Sequence, residues 1–295
     1  MKKITGLFIL MVAAIAFISC DPVENRIDPA NGRTAVTMAD IDKYVTVTQQ
    51  TIEGKASNYF SMNSDGLQAL SQFQHGLGTI VGPGTNNQYV QCFVVPGQQS
   101  IVFTALNADG TRVSKTFNVN VEECFNVAPE WALFCGTGSK VWSWDDQASS
   151  VWGNGGYLGN TSPGWWTIAL GSSDLETQVP GEGKGATLTF SAMGSSLVKT
   201  RTDGTTQAGT FSFDMSKIKT TDGNAPAADG SNIWAIGQLN TSAVTVLIGI
   251  GPNNNKAPIY SYDILKLNEN QLVLAWPEPG VGAWGTAWFW MFRAQ

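Results

Sequence analysis

The feature that most constrains the fold of this chain is a succession of short segments in which apolar and polar residues alternate. These segments run through residues 39–295 and are rich in β-branched and aromatic residues, which is typical of half-buried strands. Turn-forming clusters such as 107–110 and 251–255 separate them. The pattern predicts strands throughout, including one over 244–250, and leaves room for one short helix at 65–73. The chain is therefore predicted to be all-β.

The first twenty residues look like an export signal. Lys2 and Lys3 precede an uncharged apolar run over residues 4–18, which is too short to span a membrane comfortably as a helix. The run ends at Cys20 and resembles a bacterial lipobox, in which the cysteine carries the lipid. This resemblance implies a lipoprotein signal peptide at 1–19 and an exported, membrane-anchored protein. A secretory signal with a coincidental cysteine is the alternative.

The segment that follows the cysteine predicts a flexible tether. Residues 20–38 are polar, contain Pro22 and Pro29, and show no periodicity. The acidic residues just after Cys20 resemble the surface-export tether of Bacteroidetes lipoproteins. That resemblance implies an outer-membrane lipoprotein exposed at the cell surface.

A domain boundary is predicted near residue 123. Two strand patterns, 100–107 and 116–121, flank a turn that contains Gly110. Together they resemble the closing hairpin of a PKD-type immunoglobulin-like domain, which implies a β-sandwich over residues 39–123. Such modules are usually spacers. Residues 124–295 then form a second, larger antiparallel β-sandwich or barrel-like domain.

Tryptophan is concentrated in the second domain, since all 11 tryptophans follow residue 130. A Trp142-Ser-Trp144-Asp145 strand, a glycine-rich loop at 152–159 and a Trp165-Trp166 pair come first, and strand patterns around an Asn-Glu-Asn turn end the chain. This layout resembles Bacteroidetes surface lipoproteins in which a Trp-rich, lipocalin-like domain follows a PKD-like domain. The resemblance implies surface glycan binding without naming the glycan.

The spacing of the tryptophans divides them into two groups. Trp142 and Trp144 share one face of a strand, as do Trp288 and Trp290, so these four are favoured as core residues. Other tryptophans lie among Gly, Asn, Ser and Pro, where surface loops are expected. Adjacent Trp165 and Trp166 would point to opposite faces of an extended segment.

Exposed tryptophans among amides predict carbohydrate recognition. A flat, electron-rich indole stacks on the apolar C–H face of a pyranose, and nearby Asn, Asp or Tyr groups bind its hydroxyl rim. The predicted carbohydrate-binding residues are Trp152, Trp165, Trp166, Asn154, Tyr157, Trp142, Trp144, Asp145 and Trp284. The predicted partner is a polysaccharide or oligosaccharide.

Composition excludes several other functions. The net charge of −6 argues against nucleic-acid binding, and the single histidine argues against a His-rich metal site or a His-dependent triad. No metal site or cofactor is predicted; a structural Ca²⁺ ion is an alternative that no motif supports. Cys92, Cys124 and Cys135 leave one disulfide open, with the pair undetermined.

The sequence therefore predicts a non-catalytic, cell-surface glycan-binding lipoprotein. The first alternative is a structural or adhesin-type partner of an outer-membrane uptake complex, since aromatic anchors also dominate protein interfaces. The second is a β-sandwich glycoside hydrolase, for which Asp174 and Glu176 share strand parity but lie in a Ser/Gly/Pro-rich segment. A barrel that carries a greasy ligand is a further alternative.

Overall fold

A computed structural model describes residues 34–295. The predicted signal peptide, Cys20 and the tether up to residue 33 lie outside the described residues. The described chain is 48% strand and 8% helix, which confirms the all-β prediction. No helix within residues 34–295 is long and apolar enough to cross a membrane.

Residues 34–123 form a two-sheet unit preceded by a short helix. In chain order its elements are α1 (Met38–Tyr44), β1 (Thr46–Ile52), β2 (Lys55–Asn63), β3 (Leu70–His75), β4 (Gly78–Pro83), β5 (Asn86–Gln91), β6 (Gly97–Leu106) and β7 (Arg112–Val121). One sheet has the order β1-β2-β5 and the other β4-β3-β6-β7. Phe60 and Met62 of the first sheet share a core with Phe73 and Phe103 of the second. This arrangement is compatible with the immunoglobulin-like prediction.

Two expectations for this unit are wrong. The helix suggested for 65–73 does not form: residues 65–69 are irregular, and β3, which pairs with β4 and β6, begins at Leu70. The end of the predicted tether is also part of the unit. Val36 is buried, and its N–H donates to Asn107 Oδ1 at 2.9 Å.

Residues 130–294 form a second unit with fourteen strands, two short α-helices and a single 3₁₀ turn at Met193–Ser195. Its elements are α2 (Glu130–Cys135), β8 (Ser139–Trp144), β9 (Trp152–Gly156), β10 (Trp166–Ile168), α3 (Ser173–Gln178), β11 (Thr187–Ser191), β12 (Ser196–Thr200), β13 (Thr206–Asp214), β14 (Lys219–Thr220), β15 (Ile233–Ala235), β16 (Gly237–Ser242), β17 (Ile250–Gly251), β18 (Ala257–Pro258), β19 (Ser261–Leu267), β20 (Gln271–Pro277) and β21 (Thr286–Ala294).

Eight of these strands close into a barrel in the order β8-β11-β12-β13-β16-β19-β20-β21. On the side away from β20, the last strand, β21, has two partners. Its second half pairs with β8, with Phe292 opposite Trp144, and this pairing closes the barrel. Its first half pairs with β9, with Trp288 opposite Asn154, and β10 pairs with the far side of β9. The sheet therefore continues past the closed barrel as a β21-β9-β10 extension.

Side chains fill the middle of the barrel. Trp142, Trp152, Trp290 and Tyr262 are fully buried there together with many aliphatic residues. At one end, Phe134 of α2 stacks on the ring of Phe190 with a centroid distance of 5.3 Å. The protein's own side chains pack the interior, so this packing does not favour the hypothesis that the barrel carries an apolar ligand inside it.

The strand predicted over 244–250 is wrong. Apart from Ile250, which begins β17, this segment is irregular. Val246, Leu247 and Ile248 are nevertheless buried and cover the barrel end opposite α2. A short run of apolar residues predicts burial, but periodicity alone does not show whether the buried segment is a strand or an irregular loop.

Asp145 is held inside the structure by three donors. Its carboxylate accepts from Arg293 Nε at 2.7 Å, Gln271 Nε2 at 3.2 Å and the Gln147 N–H at 3.0 Å. Burial alone raises the pKa of this carboxyl, but the hydrogen bonds, led by that from Arg293, outweigh burial and hold the pKa below its usual value.

We expect Asp145 to make the protein sensitive to acid. A carboxyl with a lowered pKa in the folded state stabilises the fold above its unfolded pKa, and this stability is lost as pH falls through the folded pKa. Asp145→Asn should therefore lower the free energy of unfolding by about 2 kcal/mol at neutral pH and flatten its fall in acid. Urea unfolding at a series of pH values measures this. Glu53→Gln, in an exposed turn, is the control; equal acid sensitivity of Asp145→Asn and wild type would contradict the prediction.

Candidate functional site

The structure separates the tryptophans by exposure. Among the described residues only three tryptophans are exposed: Trp284 at 65%, Trp165 at 55% and Trp166 at 40%. Trp288 and Trp290 are buried, as the core interpretation predicted. The three exposed rings lie near the extension formed by β9 and β10 or in the loop that leads into β21.

Four of the predicted carbohydrate-binding residues are buried and have no free face for a ligand. The indole N–H of Trp142 donates to the Phe134 carbonyl at 3.0 Å, and that of Trp144 donates to the Glu182 carbonyl at 2.8 Å. Trp152 begins β9 and is buried, although its neighbours in sequence suggested a loop. Asp145 is used by the contacts described above. We therefore leave these four out of the candidate site.

The register of the extension aligns a first row of side chains. Trp166 of β10 lies opposite Asn154 of β9, and Asn154 lies opposite Trp288 of β21. Trp288 in turn lies opposite Trp276 of β20. Directly opposed residues of neighbouring strands project from the same face of a sheet, so this row runs across one face.

A second row follows two residues further along the same strands. Gly156 lies opposite Thr286, and the Glu278 N–H donates to the Thr286 carbonyl at 3.0 Å. Residues two apart on a strand share a face, so these residues extend the face of the first row. We call Asn154, Trp166, Trp284, Thr286 and Glu278 the tryptophan face.

Trp284 lies flat on glycine backbone. The backbone N–H of Trp284 donates to the Tyr157 carbonyl at 2.8 Å, and its φ of 63° turns the loop back over β9. A Cβ added to Gly159 would be 2.6–2.7 Å from three atoms of the indole, and one added to Gly156 would be 2.5 Å from another. One side of the Trp284 ring therefore packs against the glycine-rich loop, while the rest of the ring is exposed.

Trp166 is fixed by its edges. Its ring packs at steep angles against Trp152 and Trp288, with centroid distances of 5.6 and 5.8 Å. The backbone N–H of Trp166 donates to Asn154 Oδ1 at 3.0 Å. The Asn154 Nδ2 group makes no hydrogen bond with the described residues, so it is available to a ligand that contacts Trp166.

Tyr157 is held by side chains that pack next to the glycine-rich loop. Its ring meets Trp234 edge-on at 5.1 Å, and the Trp234 indole N–H donates to the Asn160 carbonyl at 2.7 Å. Asn160 Oδ1 then accepts from the Gly156 N–H at 2.7 Å. Sequence reasoning missed Trp234 and Asn160, because only the fold brings Trp234 next to the loop.

Glu278 is the one carboxylate of the tryptophan face. Its Oε1 accepts from the Trp288 indole at 3.0 Å and from Asn253 Nδ2 at 2.7 Å. The acids considered for a hydrolase lie elsewhere, on α3, and Glu176 there accepts from the N–H groups of Gly181 and Gly183. The arrangement provides stacking surfaces and hydrogen-bonding groups.

Two further predictions concern groups outside this face. Within residues 34–295 no group of three or more His, Cys, Asp or Glu residues is placed to hold a metal ion. Cys92, Cys124 and Cys135 are all free, so the structure contains none of the disulfides that the sequence left open. Burial raises the pKa of the Cys92 thiol to about 12.

Neither a protein-family model nor a curated protein sequence matches this chain. The function of the tryptophan face is therefore inferred from its own residues.

The packing of Trp284 against the glycine-rich loop leads to a testable prediction. Gly159→Ala should displace the indole, because the added methyl group occupies the volume of the ring while the indole itself is unchanged. We expect acrylamide to quench the tryptophan fluorescence of Gly159→Ala more strongly than that of wild type.

Gly282→Ala is the matched control, since nothing lies within 4 Å of its added Cβ. Equal quenching in Gly159→Ala and Gly282→Ala would contradict the packing described for Trp284.

Proposed function

We propose that this protein binds a polysaccharide or oligosaccharide without catalysis, by stacking sugar rings on Trp166 and Trp284. The observation that carries the proposal is that the exposed tryptophans lie beside the β9–β10 extension or in the loop that leads into β21, while most of the others are buried. An exposed indole that is held rigidly loses little conformational entropy on binding, and this favours recognition.

The chemistry of the tryptophan face suits a pyranose chain. Trp284 rests on Gly156, which is two residues from Asn154, and Trp166 lies opposite Asn154. Same-face positions of a strand are about 6.6 Å apart, so the two rings would meet successive parts of one chain. The free amide of Asn154 and the Thr286 hydroxyl would then bind the hydroxyl rim.

The remaining parts of the proposal rest on sequence. A lipid at Cys20 would anchor the protein in the outer membrane, as the resemblance to Bacteroidetes surface lipoproteins implies, and the sandwich of residues 34–123 would hold the tryptophan face away from the membrane. Weak individual sites suit a surface protein that retains a repetitive polymer through many contacts.

One observation favours a second candidate, a protein partner such as an outer-membrane uptake complex. β10 is an edge strand of its sheet, and exposed Trp165 immediately precedes it. Free backbone groups on an edge strand pair readily with another chain, and aromatic residues anchor protein interfaces.

Affinity electrophoresis in gels that contain a panel of polysaccharides tests the main proposal. We expect at least one polysaccharide to retard the protein and Trp166→Ala to reduce the retardation. Tyr89→Ala, an exposed aromatic of the first unit, is the matched control and should behave as wild type. Migration unaffected by every polysaccharide would refute glycan binding, and release of reducing sugar would favour the hydrolase.

A further inference from the structure

A second candidate site lies at the barrel end opposite α2. A cavity of about 220 Å³ opens there, and its lining includes Glu182, Lys199, Arg201, Thr245 and Tyr260. None of these residues belongs to the tryptophan face. The cavity is smaller than a pocket for a drug-sized ligand, for which about 300–1,000 Å³ is usual, so it would take one small group.

The charged side chains of the cavity form a buried cluster. Lys199 Nζ lies 2.7 Å from Glu182 Oε1 and donates to Thr245 Oγ1 at 3.0 Å. Arg201 donates to the same Glu182 oxygen from Nε at 3.2 Å and from Nη2 at 3.1 Å. The other Glu182 oxygen accepts from the Ile248 N–H at 2.6 Å. Both oxygens of Glu182 are thus satisfied by protein donors.

Lys199 is an unusual residue for its position. It follows Leu197 on the inward-facing side of β12 and is only 3% exposed. An ammonium group inside a barrel is expensive to desolvate, and a hydrophobic residue would pack there at lower cost. Its presence calls for an explanation beyond packing.

The cations of the cavity outnumber its anions. Two cationic side chains face one carboxylate, in a chain whose net charge is −6. A guanidinium carries five N–H groups, and the structure uses those of Arg201 only toward Glu182. The remaining N–H groups have no acceptor among the described residues, and the Arg201 side chain is 28% exposed. Donors and positive charge are therefore available at the cavity opening.

The backbone in and next to the cavity wall is strained. Ala243, which lines the cavity, has a φ of 64°, and Ile248, which precedes the lining residue Gly249, has a φ of 46°. Residues other than glycine rarely adopt this region, and it is especially unfavourable for a β-branched residue. Ile248 is held in place from both sides, by Glu182 and by the Trp290 indole, which donates to its carbonyl at 3.2 Å. Strain of this kind concentrates at functional sites.

We propose that this cavity binds the oxyanion group of a small ligand, either a carboxylate or a phosphate. The free N–H groups of Arg201 donate to the oxyanion, as the planar fork of arginine does to both groups. Lys199 supplies the second positive charge, and the exposed ring of Tyr260 borders the rest of the ligand. Glu182 holds both cations in place, so it positions the site without contacting the ligand.

Isothermal titration calorimetry of the full chain tests this proposal. The probes are inorganic phosphate and D-glucuronate, with D-glucose as the uncharged counterpart of glucuronate. We expect at least one oxyanion to bind through Arg201, whereas any heat from glucose would come from the tryptophan face and should be unchanged in Arg201→Gln. Arg201→Gln should weaken binding at least about tenfold, and Arg201→Lys, which keeps the charge but loses the fork, should also weaken it. Lys217→Gln, an exposed cation elsewhere, makes the same charge change and should leave binding unchanged.

Each outcome decides the proposal. Binding of phosphate or of glucuronate, lost in Arg201→Gln, supports it and identifies the source of the oxyanion. Failure of both oxyanions to bind, oxyanion binding that Arg201→Gln leaves unchanged, or equal weakening in Lys217→Gln overturns it. If Arg201→Gln does not fold, Arg201→Lys decides, because unchanged affinity in that variant contradicts recognition by the fork.

Discussion

Replacing Trp284 by alanine is expected to remove most of the glycan affinity while leaving the fold intact. The indole is 65% exposed and rests on backbone, so its loss opens no cavity in the core. Stacking a planar group on an aromatic side chain contributes about 1–3 kcal/mol, which corresponds to a loss of about 5- to 150-fold in affinity. Affinity electrophoresis with the best-retained polysaccharide measures this loss.

Two comparisons make the Trp284 result specific. Trp284→Phe keeps an aromatic ring of smaller area and should retain part of the affinity. Tyr89→Ala removes an aromatic ring that is equally exposed, at 69%, from the first unit and should have no effect. If Trp284→Ala binds like wild type while the protein is still retarded by the polysaccharide, the tryptophan face is not the binding surface.

Replacing Glu182 by glutamine should cause the largest loss of stability. Glu182 is 1% exposed and accepts hydrogen bonds from Arg201 and the Ile248 N–H while it pairs with Lys199. Its neutralisation leaves the Lys199 ammonium buried without a counter-charge, and breaking a buried pair in this way costs about 3–5 kcal/mol. Denaturant unfolding followed by circular dichroism measures the change.

The stability of the Glu182→Gln variant should depend on pH through the titration of Lys199. Burial lowers the pKa of Lys199 even though Glu182 lies beside it, and loss of Glu182 removes the charge that opposes this shift. A lysine with a lowered pKa in the folded state makes stability rise as pH rises through that pKa. The deficit of Glu182→Gln should therefore shrink at alkaline pH.

Matched variants test the cause of the Glu182 effect. Adding Lys199→Met to Glu182→Gln removes the unpaired charge and should recover much of the lost stability. Asp42→Asn breaks the ion pair with Lys115, in which the Asp42 side chain is 60% exposed, and should leave stability unchanged. If Glu182→Gln unfolds at the same denaturant concentration as wild type, the buried cluster does not stabilise the barrel.

Local sequence patterns predicted much of the architecture. The alternation in 271–276 and 287–292 lies within β20 and β21, and the Asn107–Gly110 turn joins β6 to β7. Alternation is a direct consequence of strand geometry, so it is visible without knowledge of the partners of a strand. The helix expected at 65–73 was wrong, because pairing with two neighbours outweighed the local signal of β3.

The sequence by itself determined that this protein is built from strands and that its tryptophans belong to the second domain. Only the tertiary structure decided which of them face solvent. Trp152 and Trp166 both lie in the Gly/Asn/Pro-rich region, yet Trp152 is buried and Trp166 is 40% exposed. Period two and the strand register place Trp152 and Trp166 on the same face, but they do not show how much of that face the barrel covers. That depends on β21, which closes the barrel with one half and carries β9 with the other.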